Sequence, residues 1–344
     1  MAVSRRYFFT QACASAMSIV WASSWKKSSV QAANRPGVNP NTLLISFNLV
    51  KPYLTVQAEL KGQKHLYQLS EKTDKIIFNL VRLYLNLESS LSSREEILGR
   101  SQWLGNQFLS PLTLWIEECD EIQFIISENS IRFPLDFLQY RGLPLFLQKP
   151  VTYSFSPINS ILEFSEDWSA FILSDPTADP ERGAAFLTTI LANSIYYDLQ
   201  DLTLSTLNFI EPKDVILISA HGIIHSNRGD HIALKQESIL PDHLARLAPR
   251  LIYLDSCQLG VSYEFIQRLK SVKTNYYVAP ILSNEAGNSS TKTIKLFFES
   301  LQKGLSPSLA LFHTRTQLYE DFQVTDTYRK LMWRAFPFRV YQLN

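Results

Sequence analysis

The chain has 344 residues, 46% of them hydrophobic, with 33 Lys plus Arg against 32 Asp plus Glu, so it can bury a large core but projects no broad electrostatic field. A net charge of +1 without a long basic run argues against nucleic acid as a partner. Three cysteines, no C-x-x-C pair, no G-x-x-x-x-G-K-[ST] loop and no G-x-G-x-x-G exclude a disulfide framework, a zinc ribbon and the common nucleotide sites, so no cofactor is implied.

Ser4-Arg5-Arg6-Tyr7-Phe8-Phe9 precedes a small-residue apolar stretch from Ala12 to Ser24, then Lys26, Lys27 and Val30-Gln31-Ala32-Ala33, which is the order of a signal peptide. The arginine pair followed by x-Phe-Phe resembles the twin-arginine export signal. The expectation is a signal over residues 1–33, cut after Ala32 or Ala33, a linker over 34–41, and a periplasmic or extracytoplasmic protein. The apolar stretch falls short of the roughly 20 residues of a bilayer helix, and no other run approaches that length, so no membrane span is expected.

Leu43–Phe47 and Tyr53–Ala58 read as strands broken at Lys51-Pro52, with a third from His65 to Leu69. Ile76, Ile77, Leu80, Val81, Tyr84 and Leu87 have helical spacing, and a second helix runs from Ser93 to about Glu118. Ile122–Ile126 and Ser130–Phe133 flank a polar Ser-Glu-Asn and suggest a hairpin. From Trp168 onward short apolar strands alternate with helices, which argues for a mainly parallel sheet covered on both faces. The strands are Ala170–Leu173, Ile195–Tyr197, Val215–Ile218, Leu251–Leu254 and Tyr276–Ala279; the helices are Gly183–Ala192, Leu202–Phe209, Tyr263–Ser271, Ser290–Gln302 and Ser306–Tyr319. The fold class is α/β, with an N-terminal α+β part over 42–165 and a C-terminal α/β part over 166–344.

Two strand ends could carry chemistry, because functional groups of open parallel sheets collect at the carboxyl edge. One is Ser219-Ala220-His221-Gly222; the other is Leu254-Asp255-Ser256-Cys257-Gln258-Leu259-Gly260. If the strands are neighbours, an imidazole and a thiol share one edge, an arrangement suited to nucleophilic catalysis. Gly222 and the turn at Cys257 could offer N–H groups to an oxyanion. Cys119, at the end of an apolar helix, fits core packing.

These two segments and their separation resemble the CHAT domain, a caspase-like cysteine peptidase domain related to separase. Ile125–Leu138, which contains Phe133-Pro134-Leu135-Asp136-Phe137-Leu138, Thr152–Pro157, Ile172–Pro176 and Phe297–Gly304 with Ser308–Leu311 are similar to further segments of that family, in the same order. The resemblance implies a caspase-like sheet whose N-terminal α+β part is a smaller pseudo-caspase half. It makes Cys257 the nucleophile, His221 the general base and then acid, and the Gly222 and Cys257 N–H groups the oxyanion hole. It also implies that Asp255 lines a pocket for Arg or Lys before the scissile bond, in a protein or peptide substrate. The segment Pro280–Gly287 lacks the family's Trp-x-x-x-Asp-like pattern, so no pocket residue is carried over there.

Two alternatives remain beside the peptidase. One is a silent module of the same fold that binds an activating or inhibitory protein partner. The other is a metal hydrolase built from His221, His225, His231 and Asp230, although these lack a helical H-E-x-x-H.

Overall fold

Alternate residues along the central strands face opposite layers, and this period of two organises the core. The computed structural model describes residues 41–49, 51–158, 162–224, 229–235, 237–284 and 286–344. The expected export signal and its linker up to residue 40 lie outside the described residues, as does His225.

The main sheet has eleven strands: β1 Thr42–Asn48, β2 Tyr53–Leu60, β3 Gln63–Lys72, β4 Glu121–Ile125, β5 Val151–Ser154, β6 Ser169–Ser174, β7 Asn193–Asp198, β8 Val215–Ser219, β9 Leu251–Asp255, β10 Tyr276–Pro280 and β11 Phe338–Gln342. Their spatial order is β3-β2-β1-β4-β5-β11-β10-β9-β8-β6-β7. Pairing is antiparallel for β3-β2, β2-β1 and β11-β10, and parallel elsewhere. The fold is therefore α/β with a mainly parallel mixed sheet. The expected N- and C-terminal parts meet in that one sheet, because the carboxyl-terminal β11 inserts between β5 and β10, with Tyr341 opposite Tyr153.

Strands β8, β9 and β10 are buried throughout, as expected of strands covered on both faces. Ile172, Val215, Leu217, Leu251, Tyr253 and Val278 form one layer with Ile294, Phe297, Phe298 and Leu311. Phe171, Leu173, Ile216, Ile218, Ile252, Leu254 and Tyr277 form the other, with Phe265, Ile266 and Leu269. The helices supplying these side chains are α3 Tyr263–Ser271, α4 Asn288–Gln302 and α5 Pro307–Phe322; Ser262 and Ser306 cap the first and last of them. In the N-terminal part, α1 Thr73–Glu88 buries Ile76, Leu80, Leu83, Tyr84 and Leu87 along one stripe. α2 Arg94–Phe108 starts at a Ser93 cap, and α6 Tyr328–Ala335 precedes β11. No helix among the described residues is long and apolar enough to cross a membrane.

Three local expectations are corrected. The hairpin partner at Ser130–Phe133 is not a strand, because Ser127 and Ser130 form a reciprocal capping box around a 3-10 turn and β4 pairs with β1 and β5 instead. The helix read as continuous from Ser93 to Glu118 ends at Phe108 and is replaced by a 3-10 turn at Ser110–Leu112 before a short helix at Thr113–Glu118, since Pro111 cannot donate to the helical ladder. Gly183–Phe186 is a 3-10 turn, and only Leu187–Ile190 is α-helical.

The seam around β11 holds a buried charge cluster. Arg315 Nη1 donates to Asp136 Oδ2 at 3.0 Å, Tyr153 Oη to Asp136 Oδ1 at 2.7 Å, and Arg339 Nη2 lies 3.9 Å from Asp136 Oδ1. Arg339 also donates to the carbonyls of Ile131 at 2.6 Å and Phe133 at 2.9 Å, which fastens β11 to the loop before Asp136. Replacing Asp136 by Ala strands two buried guanidiniums, so the expected loss in chemical denaturation is about 3–5 kcal/mol. A loss below about 1 kcal/mol, the range of an exposed ion pair, would contradict this account of the seam.

Candidate active site

Three neighbouring parallel strands end level with one another: Ser174 of β6, Ser219 of β8 and Asp255 of β9 are in register. Each chain continues past that edge with polar residues, so Asp175 and Thr177, His221, and Cys257 emerge side by side. The first two loops begin joined to the sheet, with Asp175 N donating to Ser219 O at 2.8 Å and Ala220 N to Asp255 O at 3.3 Å.

Gly222 sets the distance between the histidine and cysteine loops. A Cβ at Gly222 would lie 2.7 Å from the Cys257 carbonyl oxygen and 3.1 Å from the Ser256 carbonyl carbon, closer than a side chain tolerates. Only glycine permits this approach of two backbones. Among the described residues the Cys257 N–H donates to no other residue's carbonyl.

The His221 side chain is 57% exposed, yet its ring is tethered: Nε2 lies 2.9 Å from Thr177 Oγ1 and 3.9 Å from Asp175 Oδ2. Thr177 in turn donates to Asp175 Oδ1 from its backbone N at 2.9 Å and its hydroxyl at 2.8 Å. Asp175 is buried.

Cys257 is partly buried and points its thiol at Asn284, with Sγ 3.4 Å from Oδ1 and 3.9 Å from the carbonyl oxygen. Burial pushes the thiol above its ordinary range, and the charges of Asp255 and Glu88 push it further. No hydrogen bond joins His221 to Cys257 among the described residues; each is held by another partner.

Asp255 is 4% exposed. Its Oδ2 accepts from Ser219 Oγ at 2.6 Å and from Ser290 Oγ of α4, and its Oδ1 accepts from Asn284 Nδ2 at 2.5 Å. Burial raises this carboxyl, and the three hydrogen bonds offset the rise only in part. So placed, Asp255 is engaged by three donors of its own chain, from β8, α4 and the loop after β10. It braces the site internally, because its desolvated oxygens are taken up by donors of the chain itself.

Glu88, the last residue of α1, enters from the N-terminal part. Its Oε1 accepts from Ser283 N at 2.7 Å and its Oε2 from Ser283 Oγ at 3.1 Å, while Gln258 Nε2 lies 3.4 Å from the same Ser283 hydroxyl. Tyr84 Oη donates to Ile281 O at 3.0 Å, so α1 grips the loop that carries Asn284. Burial pushes the Glu88 carboxyl up.

The sequence reading missed Thr177, Asn284 and Glu88 and gave Asp175 no role. Asp175 was within reach, two residues past the predicted strand Ala170–Leu173. The others depend on contacts between segments far apart in the chain. Cys119 is buried, with its thiol pushed up to about 11 mainly by burial and its Sγ 3.4 Å from Ile116 O. His231 is buried with Nδ1 2.9 Å from Gly229 O. Among the described residues no group of three or more His, Cys, Asp or Glu side chains is placed to hold a metal ion.

No family model matches the sequence, and no curated protein matches it. Among solved structures, the fold is similar to a chain in the crystal structure of the Saccharomyces cerevisiae separase–securin complex, with a TM-score of 0.54 and 10% sequence identity. The match covers 89% of this chain and 30% of that one. At that identity it concerns the fold: this chain has a caspase-like α/β fold of the separase kind.

The raised thiol predicts how Cys257 reacts. A group with an elevated pKa holds its proton to higher pH, so alkylation of the native protein by iodoacetamide should follow a profile displaced to the alkaline side of free cysteine. A profile displaced to the acid side, followed by mass spectrometry of the Cys257 peptide, would mean a thiolate–imidazolium pair already exists and would contradict this geometry.

Proposed function

We propose that this chain is a cysteine endopeptidase of the CHAT, caspase-like type, acting through His221 and Cys257. The observation that carries this reading is the in-register pair of strand ends on β8 and β9, which brings the two loops into backbone contact at Gly222. The caspase-like fold supports it, and so do the quoted sequence segments.

In the proposed reaction the Cys257 side chain leaves Asn284 and its Sγ attacks the scissile carbonyl carbon while His221 takes the thiol proton. The C–S bond forms, and the oxyanion is met by the N–H groups of Gly222 and Cys257. The C–N bond then breaks, and imidazolium returns its proton to the leaving amine. Water attacks the thioester with His221 again as base, which releases the carboxylic acid and restores the thiol.

Specificity for Arg or Lys before the scissile bond is part of the proposal. Two carboxylates, Asp255 and Glu88, lie close enough to Cys257 to push its thiol up. An incoming guanidinium or ammonium would lower the energy of this negative environment. The substrate is a protein or peptide, with an activating or inhibitory protein as a further partner. The twin-arginine-like start supports action outside the cytoplasm.

A second reading is a silent module of the same fold that binds protein. It is favoured by one observation, the thiol directed at Asn284 rather than at His221. Hydrolysis of a fluorogenic peptide library by the chain from Asn34 decides between the two. The peptidase reading expects cleavage after Arg or Lys, abolished in Cys257→Ala and reduced about a hundredfold to ten-thousandfold in His221→Ala. Undiminished cleavage in Cys257→Ala refutes the nucleophile, and complete inertness toward every peptide favours the silent module.

A further inference from the structure

His221 presents a problem that the dyad alone does not solve. Its ring is more than half exposed and sits on a loop, so nothing in the β8 strand end itself fixes which nitrogen is protonated or where the ring points. A base whose ring rotates freely, or whose proton sits on the nitrogen nearest the thiol, is useless for most of the time.

The contacts around Nε2 supply the missing constraint. The Thr177 hydroxyl has one proton, and it is donated to Oδ1 of the buried Asp175, 2.8 Å away. With that proton committed, the hydroxyl oxygen is an acceptor, and the imidazole nitrogen 2.9 Å from it must be the donor. The neutral ring therefore carries its proton on Nε2 and leaves Nδ1 as the basic nitrogen. The backbone N–H of Thr177 binds the same Asp175 oxygen at 2.9 Å, which fixes the Thr177 hydroxyl as part of a closed turn. The other carboxylate oxygen, 3.9 Å from Nε2, supplies the compensating negative charge once the ring becomes imidazolium.

We propose that Asp175 and Thr177 are the positioning residues of the His221 base, a hydroxyl-relayed third member that fixes the Nε2–H tautomer and aims Nδ1 at Cys257. This rests on the peptidase reading for its consequence in rate, but the tautomer it assigns exists whether or not the chain cleaves peptides. All three positions lie past in-register strand ends, so the relay is built by the sheet and does not depend on a bound substrate.

The test uses the chain from Asn34 with 15N-labelled histidine, and the variants Thr177→Val, Thr177→Ser and Asp175→Asn. In the native protein, at a pH where His221 is neutral, the imidazole 15N signals are expected to report protonated Nε2 and bare Nδ1. Thr177→Val, which keeps the shape and removes the hydroxyl, should lose that preference, and Thr177→Ser should restore it. With a cleaved peptide, Thr177→Val and Asp175→Asn should lower kcat about tenfold to a hundredfold with KM nearly unchanged, and Thr177→Ser should recover most of the rate. A native Nδ1–H tautomer, or a tautomer indifferent to Thr177→Val, overturns the proposal. So does a Thr177→Val enzyme with native kcat. If no peptide is cleaved, the tautomer arm still decides the relay, while the peptidase reading fails separately.

Discussion

The carboxylate of Asp255 is the point on which the site hangs. It is buried without a cationic partner among the described residues, a condition tolerable only because Ser219, Ser290 and Asn284 turn their donors toward it. Its three hydrogen bonds tie three separate pieces of chain to one carboxyl group. Ser219 comes from β8, Ser290 from α4, and Asn284 from the loop after β10, so one side chain at the end of β9 fixes the strand carrying His221, the helix behind it and the residue touching Cys257. Burial raises the Asp255 carboxyl, and the neighbouring Cys257 thiol is raised by its own burial and by the charges of Asp255 and Glu88.

A consequence is that the cysteine rests protonated. Asn284 faces both ways, donating to Asp255 and standing 3.4 Å from the Cys257 sulfur, so its amide transmits the brace to the thiol. Glu88 and Tyr84 hold the same loop from the other half of the sheet through Ser283 and Ile281. The N-terminal part is thus joined to the chemistry by more than the continuous sheet: α1 is a direct support of the thiol's surroundings.

The sequence made the central strands and the two chemical loops readable because β8 and β9 are uninterrupted apolar runs followed at once by polar residues. Their adjacency was an assumption that the register of Ser219 with Asp255 settles. Other features were hidden for definite reasons. The carboxyl-terminal strand, Phe-Arg-Val-Tyr-Gln, carries a buried arginine whose charge is absorbed by Asp136, Tyr153 and two carbonyls contributed from some two hundred residues away, so its polarity misrepresents its burial. The turn at Ser127–Ser130 looked like a hairpin because serines favour any tight reversal, and only their mutual hydrogen bonds select the 3-10 form. Asp255 was noticed from its place beside the cysteine, but its hydrogen bonds to Asn284 and Ser290 were hidden, because those donors follow it only after another strand has been built.

The central claim is that Cys257 becomes covalently acylated. The most direct measurement is mass spectrometry of the protein quenched in acid during reaction with an arginyl peptide ester, whose good leaving group allows the acyl-enzyme to accumulate. The account predicts an added acyl mass on the peptide containing Cys257, released by hydroxylamine as a thioester is. An acyl group found on another residue, or no adduct while the ester is turned over, would contradict it.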